Sequence, residues 1–277
     1  MIDTKKPNDL NLSKLPNHLW VLLIFVVSAL MSNNSGAQTP EEKGLIIAKA
    51  IVARDQGWGD SQSELTMILR NKKGQEVVRE MHSKSLEVES DGDKRLTVFN
   101  TPLNVKGTVF LSYSHIVGND DQWLFLPTLK RVKRIASKNK SGPFLGSEFA
   151  FEDLSSFEVE KNSYLHLRDE NYNGMAVSVV EMYPVDKYSG YARLVAWVDN
   201  EHYRVHKIDF YDRRNTLLKT LTSKGFRLHK EKYWRADKQF MVNHRSGKST
   251  DIEIKNLRFG TGLTDMDFNE NRLARAH

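Results

Sequence analysis

The chain contains no cysteine among its 277 residues. This absence excludes a disulfide framework, thiol redox chemistry and an N-terminal cysteine modified with lipid. Two common catalytic motifs are also missing, the Gly-x-Ser-x-Gly nucleophile elbow and the His-Glu-x-x-His zinc motif. Stability must therefore come from an apolar core, and nothing in these patterns favours an enzyme, although a triad assembled in space would leave no motif.

Long apolar runs are scarce as well, with one exception near the N-terminus. Residues 19–31 are almost wholly apolar, but this run is shorter than the roughly 20 residues that a membrane-spanning helix needs. Lysines precede it, and Ser35 and Ala37 supply the small residues expected before a cut between Ala37 and Gln38. The pattern predicts a cleaved signal peptide over residues 1–37 and hence export. A retained membrane anchor is the alternative.

The net charge is +6 at neutral pH, and removal of residues 1–37, with three lysines and two aspartates, leaves +5. In a cytosolic protein, clustered lysine and arginine would favour nucleic acid, because phosphates attract them. In an exported protein, anionic lipids and membrane surfaces are the expected partners. We therefore expect transient membrane contact and no binding of nucleic acid.

The predicted mature chain begins with the signals of a helix. Thr39 and Glu42 have the spacing of a capping box, and Pro40 fits the first turn. Apolar residues then recur at helical spacing, which predicts a helix over residues 40–54. A second helix is expected over residues 147–157, where aromatic and acidic residues accompany one another.

Most of the remaining chain alternates between apolar and polar residues, in segments separated by Asn, Asp and Gly. Such alternation predicts strands, and these turn residues predict hairpins. We expect about eleven antiparallel strands in one domain, residues 38–277, because no linker, repeat or shift in composition divides it. A sheet of that size twists and curls. The expected fold class is mainly β (α+β), a strongly curved antiparallel sheet or open half-barrel with helices as a lid over an apolar cavity.

His202 and His206 have the spacing to share one face of a strand and could begin a metal site. No third ligand follows nearby, and Arg204 falls on the same face. Solvated histidines are therefore the preferred interpretation. We expect no metal site and no cofactor.

One segment, residues 123–154, combines the features that bear most on function: WLFLPTLKRVKRIASKNKSGPFLGSEFAFEDL. It begins as an apolar strand, continues as a basic run without a carboxylate from Lys130 to Lys140, crosses a Gly-Pro break and ends in aromatic and acidic residues. An apolar surface beside a cationic one suits an amphiphile with an anionic head. A solvated strand edge, protected from aggregation by its lysines, is the alternative.

This segment resembles the outer-membrane lipoprotein-sorting protein family, a LolA-like group of exported bacterial proteins. The matching motifs are Trp123 with Leu126-Pro127, Lys130-Arg131 with Arg134, Gly146-Ser147 with Phe149, Glu152-Asp153-Leu154, and Gly57-Trp58 after the first helix. The resemblance implies an open β-barrel with helices as a lid over a hydrophobic cavity. It also implies a periplasmic location, a soluble shuttle because no lipidation cysteine is present, and an association with export pumps of the resistance-nodulation-division type.

The hypothesis is a periplasmic carrier, not an enzyme, that binds the acyl chains of lipoproteins or lipids and transfers them towards the outer membrane. The partners would be those chains, with an envelope transporter or outer-membrane receptor. The expected cavity and lid residues are Trp58, Trp123, Phe125, Phe149 and Phe151. The expected contacts to a headgroup or partner are Lys130, Arg131, Lys133 and Arg134. The competing hypotheses are an accessory subunit of an envelope transporter that binds a protein partner and, more distantly, a periplasmic hydrolase.

Overall fold

The computed structural model describes residues 38–276, so the predicted signal peptide and its cut lie outside the described residues. Within these residues the chain forms one α-helix, α1 (Pro40–Arg54), and 13 strands. The strands are β1 (Asp60–Arg70), β2 (Glu76–Leu86), β3 (Lys94–Thr101), β4 (Val109–Tyr113), β5 (Asp121–Leu126), β6 (Arg131–Arg134), β7 (Asn162–Tyr172), β8 (Met175–Pro184), β9 (Tyr191–Asp199), β10 (Val205–Asp212), β11 (Leu217–His229), β12 (Tyr233–Asn243) and β13 (Ser249–Phe259). Short 3-10 helices cover Pro127–Leu129, Ser137–Asn139, Phe151–Leu154, Val159–Lys161, Asp265–Phe268 and Glu270–Arg275.

All 13 strands belong to one curved, open antiparallel sheet, which confirms the predicted fold class. Its strand order is β6-β5-β4-β3-β2-β1-β13-β12-β11-β10-β9-β8-β7. The first and last strands therefore meet in the middle of the sheet, and β6 and β7 form its two edges. The sheet has two strands more than the expected eleven or so, and β6 is one that the sequence did not reveal.

The helix α1 confirms the predicted capping box. Thr39 and Glu42 exchange hydrogen bonds between side chain and backbone, at 3.2 Å and 3.0 Å. Ile47 and Ala48 pack against the inner face of β7 to β9, which we define as the face that carries α1. Close approach requires a glycine, because a Cβ at Gly44 would lie 3.0 Å from backbone nitrogens of β7.

Residues 135–161, the crossing segment, connect β6 to β7 and so run from one edge of the sheet to the other. They cross the inner face, where Phe144 and Phe149 join a core cluster with Met67, Phe210 and Met241 from both halves of the sheet. The prediction of a helix over residues 147–157 is wrong. Only a single 3-10 turn forms there, because the chain folds back on itself: the backbone N–H of Phe144 donates to the carbonyl of Phe149, and that of Phe151 to the carbonyl of Gly142.

The outer face of β3 to β5 is covered by the C-terminal 3-10 helices. Phe268 and Leu273 are fully buried there against Leu96, Val109 and Leu111. Both faces of these strands are therefore apolar, and their alternation alone does not reveal which face points inward.

Candidate functional site

A cavity of about 1330 Å³ lies on the inner face, enclosed by the sheet, the C-terminal end of α1 and the crossing segment. Its exposed lining residues mark where it opens: residues 53–57, Glu89, Arg95, Glu160, Leu228, Glu231 and Lys232. Apart from Glu160 of the crossing segment, these lie where β1, β3 and β12 begin and β2 and β11 end. Because the strands are antiparallel, all these points fall at one end of the sheet, which we call the mouth.

The end of the cavity away from the mouth is apolar. Its walls come from both halves of the sheet and from the crossing segment. The lining residues are Leu65, Met67, Met81, Phe110, Phe144, Ile208, Leu221, Ile252 and Ile254. Most of them belong to the main core cluster or pack against it, so this end of the cavity is continuous with the core.

Between the apolar end and the mouth, the wall carries two rows of hydroxyl side chains. Register places Ser63, Ser83 and Thr97 side by side on β1, β2 and β3. One step nearer the mouth, Ser61, Ser85 and Arg95 form the next row. All six residues line the cavity. The wall thus changes from apolar to hydroxyl to cationic along one direction.

Arg95 is the cation of the second row. Its side chain is open to the cavity but enclosed by protein at its sides, and this loss of hydration lowers the pKa of its guanidinium. An arginine remains charged even so. Within residues 38–276, the guanidinium makes no hydrogen bond and no ion pair. It is therefore an available cation inside the cavity.

Two carboxyl groups stand beyond Arg95, towards the mouth. Asp93 accepts a hydrogen bond from the hydroxyl of Ser156 at 3.2 Å, and burial raises its pKa. Burial and, next to it, the nearby charge of Asp93 raise the pKa of Glu158 to about 7. Neither carboxylate forms an ion pair within the described chain.

The opposite side of the mouth is aromatic. Trp234 packs against His202, with ring centroids 4.9 Å apart, and the guanidinium of Arg204 lies over the same indole. Asp199 holds this group: it accepts hydrogen bonds from Arg204 at 2.8 Å and from His206 at 2.9 Å. Burial would raise the pKa of Asp199, but these hydrogen bonds hold it well below its usual range.

The interpretation of His206 as a solvated histidine is therefore wrong. It is buried, because its imidazole satisfies the carboxylate of Asp199 inside the protein.

The loop that follows α1 borders the mouth and is tied down on both sides. Asp55 forms an ion pair with Arg235 of β12, and Lys232 donates a hydrogen bond to the carbonyl of Gln56 at 2.6 Å. Glu87 accepts backbone N–H groups of the same loop at 2.6 and 2.7 Å. Trp58 lies within this loop, lines the cavity and is mostly buried.

Solved structures of other proteins have a similar architecture. A crystal structure of an outer membrane lipoprotein-sorting protein domain from Vibrio parahaemolyticus is 56% identical, covers 85% of this chain and all of that one, and superposes with a TM-score of 0.84. The chain belongs to the outer-membrane lipoprotein-sorting protein family. A DUF1329 family protein from Desulfovibrio piger is 28% identical over 85% of this chain and 99% of that one, with a TM-score of 0.80.

A third solved structure is similar in fold at lower sequence identity. A LolA superfamily protein from Nitrosomonas europaea covers 82% of this chain and 98% of that one, with a TM-score of 0.66 at 18% identity, which shows a LolA-like fold. A family model described as an uncharacterized protein matches residues 91–275. No curated protein matches the chain.

The five aromatic residues expected at the cavity are distributed over three environments. Trp58 lines the cavity. Phe149 and Phe151 pack within the main core cluster, where Phe151 lies 5.9 Å from the ring of Phe110. Trp123 and Phe125 lie on the outer face, with the cluster that contains Phe268. Phe110 and Phe144 line the cavity in their place.

The four cations expected to meet a headgroup or partner lie on an edge of the sheet. Arg131, Lys133 and Arg134 belong to the edge strand β6, Lys130 precedes it, and all four side chains are exposed. Arg134 forms an ion pair with Asp121 of the neighbouring strand. The four residues do not line the cavity.

No three His, Asp or Glu side chains within residues 38–276 are grouped so that they could hold a metal ion. Over the same residues, no helix is long and apolar enough to span a membrane.

Arg95, Asp93 and the hydroxyl rows are not among the residues that the sequence predicts at the site. A signal for them was nevertheless present, because Ser61 and Ser63 alternate along one strand, as do Ser83 and Ser85 along the next. Residues two apart share a face of a strand, so each pair predicts adjacent hydroxyls. Which strands would be neighbours was not visible.

Proposed function

We propose that the protein is a periplasmic carrier that binds the acyl chain of a lipid or lipoprotein and transfers it towards the outer membrane without catalysing a reaction. The observation that carries this proposal is the cavity of about 1330 Å³ with an apolar end and a polar mouth. It is larger than the roughly 300–1,000 Å³ typical of small-molecule pockets. Each buried methylene contributes about 0.8 kcal/mol, so one acyl chain supplies ample binding energy.

The comparison with known structures supports the same proposal. The Vibrio parahaemolyticus relative is described as a lipoprotein-sorting domain, and the LolA-like fold is shared with it. The architecture offers a physical route for loading and release, because a chain can enter through the mouth without separating the strands of the sheet.

A pair of substitutions on β1 tests this function. Ser63 lines the cavity, whereas Glu64, its neighbour, is exposed on the other face of the strand. Ser63→Trp should fill the passage between the mouth and the apolar end and weaken binding of a fluorescent fatty acid about tenfold or more, equivalent to about two lost methylenes. Glu64→Trp should bind like the unmodified protein.

Native mass spectrometry of protein purified from the periplasm gives an independent measurement. The carrier proposal expects a bound acyl-containing molecule, which Ser63→Trp should lack and Glu64→Trp should retain. Protein that is repeatedly free of lipid and that also fails to bind fluorescent fatty acids would rule the carrier out.

The exposed basic edge supports a second candidate function, that of an accessory subunit docking on an acidic envelope transporter or receptor. Lys130, Arg131 and Lys133 are exposed, lie away from the cavity and form no ion pair within residues 38–276. Charge reversal at these three positions should abolish capture of that partner and leave fatty-acid binding intact. Loss of fatty-acid binding in the same variant would instead connect the edge to the cargo.

A further inference from the structure

The inner face of β3 carries four kinds of side chain in a fixed order. From the core to the mouth they are Phe99, Thr97 and Arg95, followed by Asp93 just before the strand begins. Alternate residues of a strand share one face and lie about 6.6 Å apart. The wall therefore presents an apolar, a hydroxyl, a cationic and an anionic group in sequence, spread over about 20 Å.

Arg95 lacks the partner that an enclosed guanidinium normally has. Asp93 is near enough to act on it electrostatically, but no ion pair forms between them. Neighbouring Ser85 and Ser61 add hydroxyl donors in the same row. A phosphate fits this set of groups, because arginine recognises phosphate oxygens through a planar fork of N–H donors.

The carboxyl groups beyond Arg95 argue against a purely anionic headgroup. Asp93 and Glu158 both face the space that such a headgroup would enter, and each would repel it. Glu158 has no hydrogen-bond partner for its carboxylate among the described residues, and Asp93 accepts only one hydrogen bond from a side chain. A primary ammonium group would satisfy both carboxylates.

We propose that the cavity takes a zwitterionic phospholipid with a primary amine, whose phosphate lies against Arg95 and whose ammonium group lies between Asp93 and Glu158. This assignment rests on the proposed carrier function and specifies its cargo. The order of chemical groups in such a lipid is acyl chain, ester, phosphate and ammonium. It matches the order along β3, from Phe99 through the hydroxyl rows to Arg95 and Asp93.

The test compares three ligands with one identical acyl chain: lysophosphatidylethanolamine, lysophosphatidylglycerol and monoacylglycerol. Each displaces a fluorescent fatty acid from the protein at about pH 8, above the pKa of Glu158, about 7. The ethanolamine lipid should bind about tenfold more tightly than the neutral monoacylglycerol, because one charge-assisted hydrogen bond contributes a difference in affinity of about this size. The affinity for lysophosphatidylglycerol should be lower than that for lysophosphatidylethanolamine.

Three variants assign the preference to residues. Arg95→Gln should lower the affinity for the ethanolamine lipid to that for monoacylglycerol and leave monoacylglycerol unchanged. Glu158→Gln should make the affinities for lysophosphatidylethanolamine and lysophosphatidylglycerol equal. It should not lower the affinity for lysophosphatidylglycerol. Arg214→Gln is the matched control: this arginine is exposed in the turn after β10, has no side-chain partner in the described part of the chain, and should change nothing.

The possible failures are distinct. If all three ligands bind equally, or if Arg95→Gln binds the ethanolamine lipid as the unmodified protein does, the headgroup site is wrong and the carrier function stands. If the glycerol lipid binds more tightly than the ethanolamine lipid, the site is anionic and the role of Asp93 and Glu158 is refuted. If none of the ligands displaces the fluorescent fatty acid, the carrier function itself fails.

Discussion

The two ends of the cavity differ in how their charged groups are used. At the apolar end, the crossing segment is fixed to the sheet by Lys219, which donates hydrogen bonds to the carboxylate of Asp153 at 2.6 Å and to the carbonyl of Glu148 at 3.1 Å. Tyr191 donates to the other oxygen of Asp153 at 2.8 Å. At the mouth, Arg95, Asp93 and Glu158 form no ion pair within residues 38–276. Paired charges hold the architecture, and unpaired charges remain available to a ligand.

Burial differs between the ion pair that fixes the crossing segment and the one that fixes the loop after α1. The side chains of Lys219 and Asp153 are only 4% and 6% exposed. Those of Arg235 and Asp55, the pair that fixes the loop after α1 beside the mouth, are 25% and 49% exposed, whereas those of Arg204 and Asp199 on the aromatic side of the mouth are 16% and 3% exposed. A buried charge without its partner is costly, whereas an exposed pair is weakened by water and salt. The crossing segment is therefore expected to stay in place while the loop after α1, at one side of the mouth, can move.

The largest expected effect comes from breaking the buried pair. Lys219→Met should destabilise the protein by about 3–5 kcal/mol, because the carboxylate of Asp153 would remain buried with its cation removed. Urea unfolding followed by circular dichroism measures this change. Lys238→Met, which removes one partner of an exposed pair with Glu253 at 2.7 Å, is the control and should have little effect. Similar losses for both variants would show that burial adds nothing to the stability supplied by the Lys219–Asp153 pair.

A smaller effect is expected at the mouth pair. Arg235→Gln should cost about 0.2–1 kcal/mol of stability, because water screens the partly exposed pair with Asp55. The same substitution releases one tie between the loop after α1 and β12, so exchange of a fluorescent fatty acid should become faster in a stopped-flow measurement. A loss of several kcal/mol with unchanged exchange would show that this end is as rigid as the other.

The sequence predicted well those elements whose signals are local. The helix α1 was predicted from Thr39 and Glu42, which cap it, and the strands were predicted from alternation and turn residues. The edge strand β6 was missed because its four residues, including three cations, are all exposed and show no alternation. The prediction of a helix over residues 147–157 was wrong. The path of the chain from β6 to β7 is imposed by the strand order, which no local pattern encodes.

The cavity depends on the same long-range information. Trp123 and Phe125 alternate with Leu124, and either set could have faced inward. The C-terminal Phe268 covers the outer face and makes that face apolar as well. The sequence does not indicate that Arg95 lies in a cavity either. An arginine on the outer surface and one inside a cavity cannot be distinguished until the neighbouring strands are known.

The last expected effect is the response of the mouth to pH. Glu158 titrates near 7 in the folded protein, against 4.5 for an ordinary glutamate, because burial and the charges of Asp93, Glu160 and Asp120 outweigh that of Lys161. The folded state thus keeps a proton that the unfolded state releases, and stability falls as pH rises from about 4.5 to above 7. The variant Glu158→Gln has no carboxyl group at this position, so its stability should not fall for this reason.

The melting temperature of Glu158→Gln should therefore rise relative to that of the unmodified protein across this pH range and stay constant above it. A saturating ethanolamine lipid should shrink the difference, since its ammonium group stabilises the ionised carboxylate. Lys161 supplies the control: Lys161→Gln removes a cation whose charge lowers the pKa of Glu158, and it should shift the transition to higher pH. A difference between Glu158→Gln and the unmodified protein that is independent of pH would mean that the mouth, like the apolar end, holds its charges already neutralised.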